Sequence, residues 1–137
     1  MNLKNRLPAC ITSIKKGKLN AQVDLDWKGV PLSVIITTAS AEEMSLEEGD
    51  KVEALFKASD VILAKDLSGI LSARNIFGGS IDEVIRSFPL AMVNIESGGC
   101  SIRAEITLSS LEKMSLEKGD PIQAVIKSSE LILSKGI

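Results

Sequence analysis

The chain has 137 residues, a net charge of −2 and a hydrophobic fraction of 45%. That hydrophobicity excludes intrinsic disorder, and no apolar run reaches the roughly 18 residues of a membrane span. The charge provides no broad basic field for nucleic acid, aromatics at 3% leave little for a base-stacking platform, and the absence of histidine removes the commonest general base and metal ligand.

From the N-terminus, Lys4, Arg6 and Pro8 interrupt any signal-peptide core, so a cytoplasmic protein is expected. In "KLNAQVDLD" the residues Leu19, Ala21, Val23 and Leu25 alternate with polar ones, the period of a half-buried strand. "PLSVIIT" places Leu32, Val34 and Ile36 on one face, and Gly29 between the two segments marks a hairpin turn. Ser40 followed by Glu43 has capping-box spacing and opens the one short helix. "MSLEEGD", residues 44–50, then ends that helix: Leu46 buries, and Gly49 adopts a left-handed conformation into the next strand. "KVEALFK" with Val52, Ala54 and Phe56, and "DVILA" with Val61 and Leu63, are further strands. Asp66–Gly69 reads as a linker.

The same order then recurs. Ala91, Val93 and Ile95 alternate, Gly98-Gly99 turns, and Ile102, Ala104 and Ile106 follow. Ser109 stands three before Glu112, and "MSLEKGD" at 114–120 buries Leu116 and turns at Gly119. Ile122, Ala124, Ile126, Leu131 and Leu133 complete the pattern. Laid over itself with an offset of 70, the chain matches without a gap at 21 of 67 positions. This is a tandem duplication, with modules at residues 1–66 and 70–137. Each is of a size at which a single core is marginal, so they should pack on each other, on other subunits, or both. Cys10 and Cys100 do not align, which argues against a disulfide framework or metal site. Five short strands and one small helix per module give an all-β fold: two tandem OB-like Greek-key barrels.

Three polar segments stand out at strand ends. They are "IT" followed by Ser40 or Ser110, the pair "KAS" (57–59) and "KSS" (127–129), and "SARN" (72–75). Each joins hydroxyls or cations to small residues with approachable backbone N–H groups, a chemistry that suits an oxyanion. Solvated strand-end lysines and ordinary turn serines are the plainer reading. An OB-type nucleic-acid module and an enzyme acting on a sulfur- or phosphate-containing substrate are further alternatives. The second is opposed by the lack of histidine, of a catalytic cysteine context and of a Gly-rich phosphate loop.

The segments "LSARNIFGGSIDEV", "ITLSSLEKMSLEKGD" and "VIKSSELIL" resemble the Mop domain of the molbindin family, and the resemblance covers essentially the whole chain as two copies. It implies a non-enzymatic, cytoplasmic protein that binds molybdate or tungstate for storage or homeostasis. No helix-turn-helix or P-loop pattern of the family's regulators and transporter ATPases is present. The resemblance also implies a homotrimer with oxyanion sites between modules of different subunits, without nucleic acid, membrane or a directly bound metal ion. Carried over by position, the site residues are Ser72, Arg74, Asn75, Thr107, Lys127, Ser128 and Ser129 in copy two. In copy one they are Thr37, Lys57, Ala58 and Ser59, with Lys4 and Asn5. Copy one departs from the motif, having Asn2-Leu3-Lys4-Asn5 where copy two has Ser72-Ala73-Arg74-Asn75.

Overall fold

The structure is a computed structural model that describes residues 4–136. Copy one contributes β1 (Lys4–Lys16), β2 (Asn20–Trp27), β3 (Val30–Thr37), α1 (Thr38–Glu43), β4 (Lys51–Lys57) and β5 (Ile62–Ala64). Copy two repeats the order with β6 (Asn75–Ser87), β7 (Leu90–Ser97), β8 (Cys100–Thr107), α2 (Leu108–Met114), β9 (Pro121–Ile126) and β10 (Ile132–Lys135). Short 3-10 turns at Ala58–Asp60 and Ser128–Glu130 join the last two strands of each copy. The expected all-β architecture, with one short helix per copy, is what forms.

The long strands β1 and β6 organise each half. The first part of β1 pairs with β4 and the second part with β2, and β6 does the same with β9 and β7. A bulge in each, between Ile11 and Ser13 and between Ile81 and Glu83, bends the strand where it changes partner. The hairpins β2–β3 and β7–β8 turn through Lys28-Gly29 and Gly98-Gly99, all four with positive φ, which matches the twist of tight hairpins. At Gly79 a β-carbon would collide with the Glu96 carbonyl oxygen and the Ile95 side chain, so β6 and β7 approach closely there.

The two sheets exchange their last strands. One runs β10-β4-β1-β2-β3 and the other β5-β9-β6-β7-β8. Leu133 faces Ala54, and Leu63 faces Ala124, so the two exchanges are equivalent under the 70-residue offset. One continuous core runs through both halves, including Leu7, Val23, Val34, Phe56 and Leu133 with Leu63, Ile81, Val93 and Ile102. Trp27 of copy one meets Phe77 of copy two edge-on, with ring centroids 5.0 Å apart. The expectation that neither module could stand comfortably alone thus has a covalent answer.

The exchange also explains the repeated phrase. Leu46 and Leu116 are buried, and Gly49 and Gly119 have φ of 90° and 93°. Asp50 and Asp120 accept the backbone N–H groups of Glu47 and Glu117, each at 2.9 Å. Lys135, on the exchanged β10, donates to the carbonyls of Met44 (3.3 Å) and Ser45 (3.0 Å) and pairs with Asp50 at 3.0 Å. Lys65 follows β5 and reaches the Met114 carbonyl (3.1 Å) and Asp120 (4.0 Å) in the same way. The Glu47 N–H and then Lys135 hold the Asp50 carboxyl below its ordinary 3.8.

Two expectations need correcting. The helices are capped by Thr37 and Thr107, whose hydroxyls accept the N–H of Ser40 and Ser110, and not by Ser40 and Ser109. Each threonine is both the last strand residue and the cap, so a strand pattern conceals it. Leu19 is 77% exposed rather than on the buried face. It precedes β2, and its carbonyl accepts the Thr38 N–H (2.9 Å) in the turn.

Candidate functional site

The start of each long strand lies beside the end of the fourth strand of the same copy. Asn75 faces Ile126 across β6 and β9, so Arg74 and Lys127 are the next residues outward on adjacent chains. In copy one Lys4 faces Lys57 and Asn5 faces Phe56. The side chain of Lys4 lies outside the described residues. Two cationic positions are thus in register in copy one, and in copy two they flank the last ladder pair. Like charges opposite one another destabilise a sheet, and a bound anion removes that penalty.

The asparagines of this motif are buried, at 4% exposure for Asn5 and 0% for Asn75. The Asn75 amide donates to the carbonyls of Ser33 (2.9 Å) and Ile126 (3.1 Å), and its oxygen accepts the Ser33 N–H (2.7 Å). Asn5 makes the matching pair with Arg103, its amide donating to the carbonyl (2.9 Å) and its oxygen accepting the N–H (2.7 Å). Arg103 is the offset equivalent of Ser33. Each asparagine thus clamps its own copy to the third strand of the other. The side-chain N–H groups of Asn75 are both spent inside the protein, which makes it a residue that positions Arg74 and Lys127.

The Lys-Ala-Ser and Lys-Ser-Ser segments are held across the copies as well. The turn after Lys57 packs on β8, and the turn after Lys127 packs on β3. Lys57, Ser59, Lys127 and Ser129 are exposed, and Ala58 is buried. Ser128 is only partly buried as a residue, but its Oγ is sealed from solvent without a hydrogen-bond partner. Ser72 and Arg74 are exposed.

Two cavities touch these residues. One, of about 300 Å³, is lined by Arg74 and Ser33 with Thr12, Asp24, Pro31 and Leu32. The other, of about 180 Å³, brings Lys57 of copy one to Ser129 of copy two, with Phe56, Asp60, Glu130 and Ile132. The Asp60 and Glu130 carboxylates in it repel a dianion. A further groove, about 710 Å³ beside Asp82, Arg86 and Lys118, contains none of the candidate residues. It is wide and open, with acidic and basic groups mixed, and it lacks the convergent donors of an oxyanion site.

Thr37 and Thr107 line neither of the two cavities that touch the other segments. Thr37 is four residues beyond Ser33 on β3, about 13 Å along the strand. Thr107 is equally far beyond Arg103 on β8. Their hydroxyls donate to the Ser40 and Ser110 hydroxyls (2.8 and 2.9 Å). Sequence reasoning missed Ser33 and Arg103, the backbone partners of the asparagines. No side-chain pattern signals them, because they act through backbone groups.

Among the described residues no group of three or more cysteines, aspartates or glutamates could hold a metal ion, and no helix is long and apolar enough to cross a membrane.

The sequence matches the TOBE domain twice, over residues 3–63 and 71–133. It is 36% identical over 134 residues to the molybdenum-pterin-binding protein MopA of Rhodobacter capsulatus, covering 96% of this chain and 51% of that protein. It is 30% identical to the molybdenum transport protein ModE of Herbaspirillum seropedicae, covering 96% and 50%. The chain therefore spans about half the length of these relatives. A solved structure of the cytoplasmic molybdate-binding protein ModG with molybdate bound superposes with a TM-score of 0.95 at 32% identity, over 99% of both chains. With the whole fold shared and the domain matched twice, this chain belongs to the TOBE-domain family, as two tandem copies of the domain.

Proposed function

We propose that this chain binds molybdate or tungstate as free oxyanions, in the cytoplasm, for storage or homeostasis. The observation that carries the reading is the end-to-end match in fold to a protein described with molybdate bound. The neighbouring cationic positions, Arg74 and Lys127 just beyond the Asn75–Ile126 pair and Lys4 opposite Lys57, supply the matching chemistry. Hydroxyl and backbone donors at Ser72, Ser59 and Ser129 suit a fully deprotonated tetrahedral dianion. The role is binding rather than turnover: the segments offer donors and charge but no general base. Repeat modules 1–66 and 70–137 are units of sequence that hold their sites jointly.

We further propose a homotrimer with sites between modules of different subunits. Thr37 and Thr107 line neither cavity that touches the cationic segments, and Asp60 and Glu130 oppose an anion in the crossing one. A second subunit would bring threonine and cation together. Titration calorimetry with molybdate, tungstate and sulfate tests the binding, and sedimentation equilibrium without ligand tests the assembly. Molybdate and tungstate are expected to bind alike, with sulfate at least about tenfold weaker, equivalent to 1.4 kcal/mol. Sulfate binding as tightly as molybdate refutes the oxyanion assignment, and a folded monomer at micromolar concentration refutes the shared site.

A further inference from the structure

The Lys-Ala-Ser and Lys-Ser-Ser segments differ between the copies at one position: Ala58 in copy one, Ser128 in copy two. Ala58 is fully buried, so a methyl group fills this place completely. Ser128 puts a hydroxyl into the equivalent place, and its Oγ has no hydrogen-bond partner among the described residues. A buried polar group left unpaired costs free energy and is uncommon in folded proteins. Nothing in the packing calls for it, since the other copy does without it. Ser128 lies two residues past Ile126, whose carbonyl accepts the Asn75 amide, and one past Lys127. The turn that carries it rests on β3. The residue as a whole is only partly buried, so this place lies near the surface.

We propose that Ser128 makes the copy-two segment a tighter oxyanion-binding segment than the copy-one segment, its unpaired hydroxyl supplying a hydrogen-bond donor that Ala58 lacks. This rests on the oxyanion reading above and adds to it an inequality between the copies. A hydroxyl can donate one hydrogen bond to a dianion, and bonds to charged acceptors are stronger than neutral ones. In the anion-free protein the same hydroxyl contributes nothing to stability. Weakened binding without weakened folding is the signature of a group kept for its ligand.

The test is Ser128→Ala in the full chain, a change whose fit is demonstrated by Ala58. Parent and variant are titrated with sodium molybdate, and both are unfolded thermally without anion. The expected result is that the tighter class of sites weakens by about tenfold or more, while the anion-free midpoint stays level or rises. Superimposable isotherms overturn the proposal. A midpoint that falls by several degrees also overturns it, because the hydroxyl is then structural. A parent chain that takes up no molybdate is a different result: it overturns the functional reading itself.

Discussion

Replacing Asn75 by alanine should be the most damaging single change at the junction of the two copies. The side chain is fully buried and makes three hydrogen bonds, two to Ser33 and one to the Ile126 carbonyl. Truncation strands the Ser33 N–H and carbonyl where only 5% of that residue is exposed. At about 1–3 kcal/mol for each orphaned buried group, with partial relaxation, the loss is about 3–5 kcal/mol. For a chain of this length that lowers Tm by on the order of 10–15 °C. Asn5→Ala removes only the two bonds to Arg103, at a part-buried place that water can reach, and should cost about 1–2 kcal/mol. Urea unfolding at fixed protein concentration measures both, followed by the fluorescence of Trp27, the single tryptophan, which is 1% exposed. If Asn75→Ala costs under about 1 kcal/mol, or no more than Asn5→Ala, the clamp between copies does not hold them together.

Arg74→Ala should weaken molybdate binding by about 1.5–3 kcal/mol, the value of a charge-assisted hydrogen bond, and Lys4→Ala by less, because a guanidinium offers two parallel donors; equal losses in calorimetry would refute the ranking. Asp50 has a depressed pKa in the folded chain, so its contribution is complete above 3.8 and is lost as pH falls through the lower folded value. Lys135→Met should therefore flatten the fall of stability in that acid window, and an unchanged pH profile would show that the Lys135–Asp50 contact is idle. Leu133→Ala, at a 7% exposed position, should speed hydrogen exchange across Val52–Phe56 of copy one and not across Ile122–Ile126 of copy two; the reverse pattern would refute strand exchange.

Much of the fold is legible because the relevant signals are local. Alternation at Val23, Leu25, Val93 and Ile95 reports a face, and those residues are buried. Gly49 and Gly119 report a backbone conformation only glycine adopts freely, and both have it. The candidate segments were legible as chemistry, since cations and hydroxyls recur at matched offsets. Their support was not. Asn75 and Asn5 look like ligands in sequence, and the partners that commit them to the copy junction are backbone groups of Ser33 and Arg103.

Strand exchange was hidden for a different reason. Ile62-Leu63 and Ile132-Leu133 are identical pairs; Leu63 and Leu133 face Ala124 and Ala54, which are also identical, and Ile62 and Ile132 face the aliphatic Val125 and Leu55. Home and exchanged partners are alike in being alanine or aliphatic, so no strand sequence marks one pairing over the other. The connections differ from hairpins, however. Residues 58–61 and 128–131 contain no glycine or asparagine, whereas Lys28-Gly29 and Gly98-Gly99 supply the left-handed residues of tight reversals. A 3-10 turn followed by extended Val61 or Leu131 carries the chain onward instead of back. It thereby sets the turn 58–60 against β8 and the turn 128–130 against β3. Each cationic segment is then held by the opposite copy. Neither copy alone holds its segment in this way, so under the proposed oxyanion reading the duplication supports the site as well as doubling it.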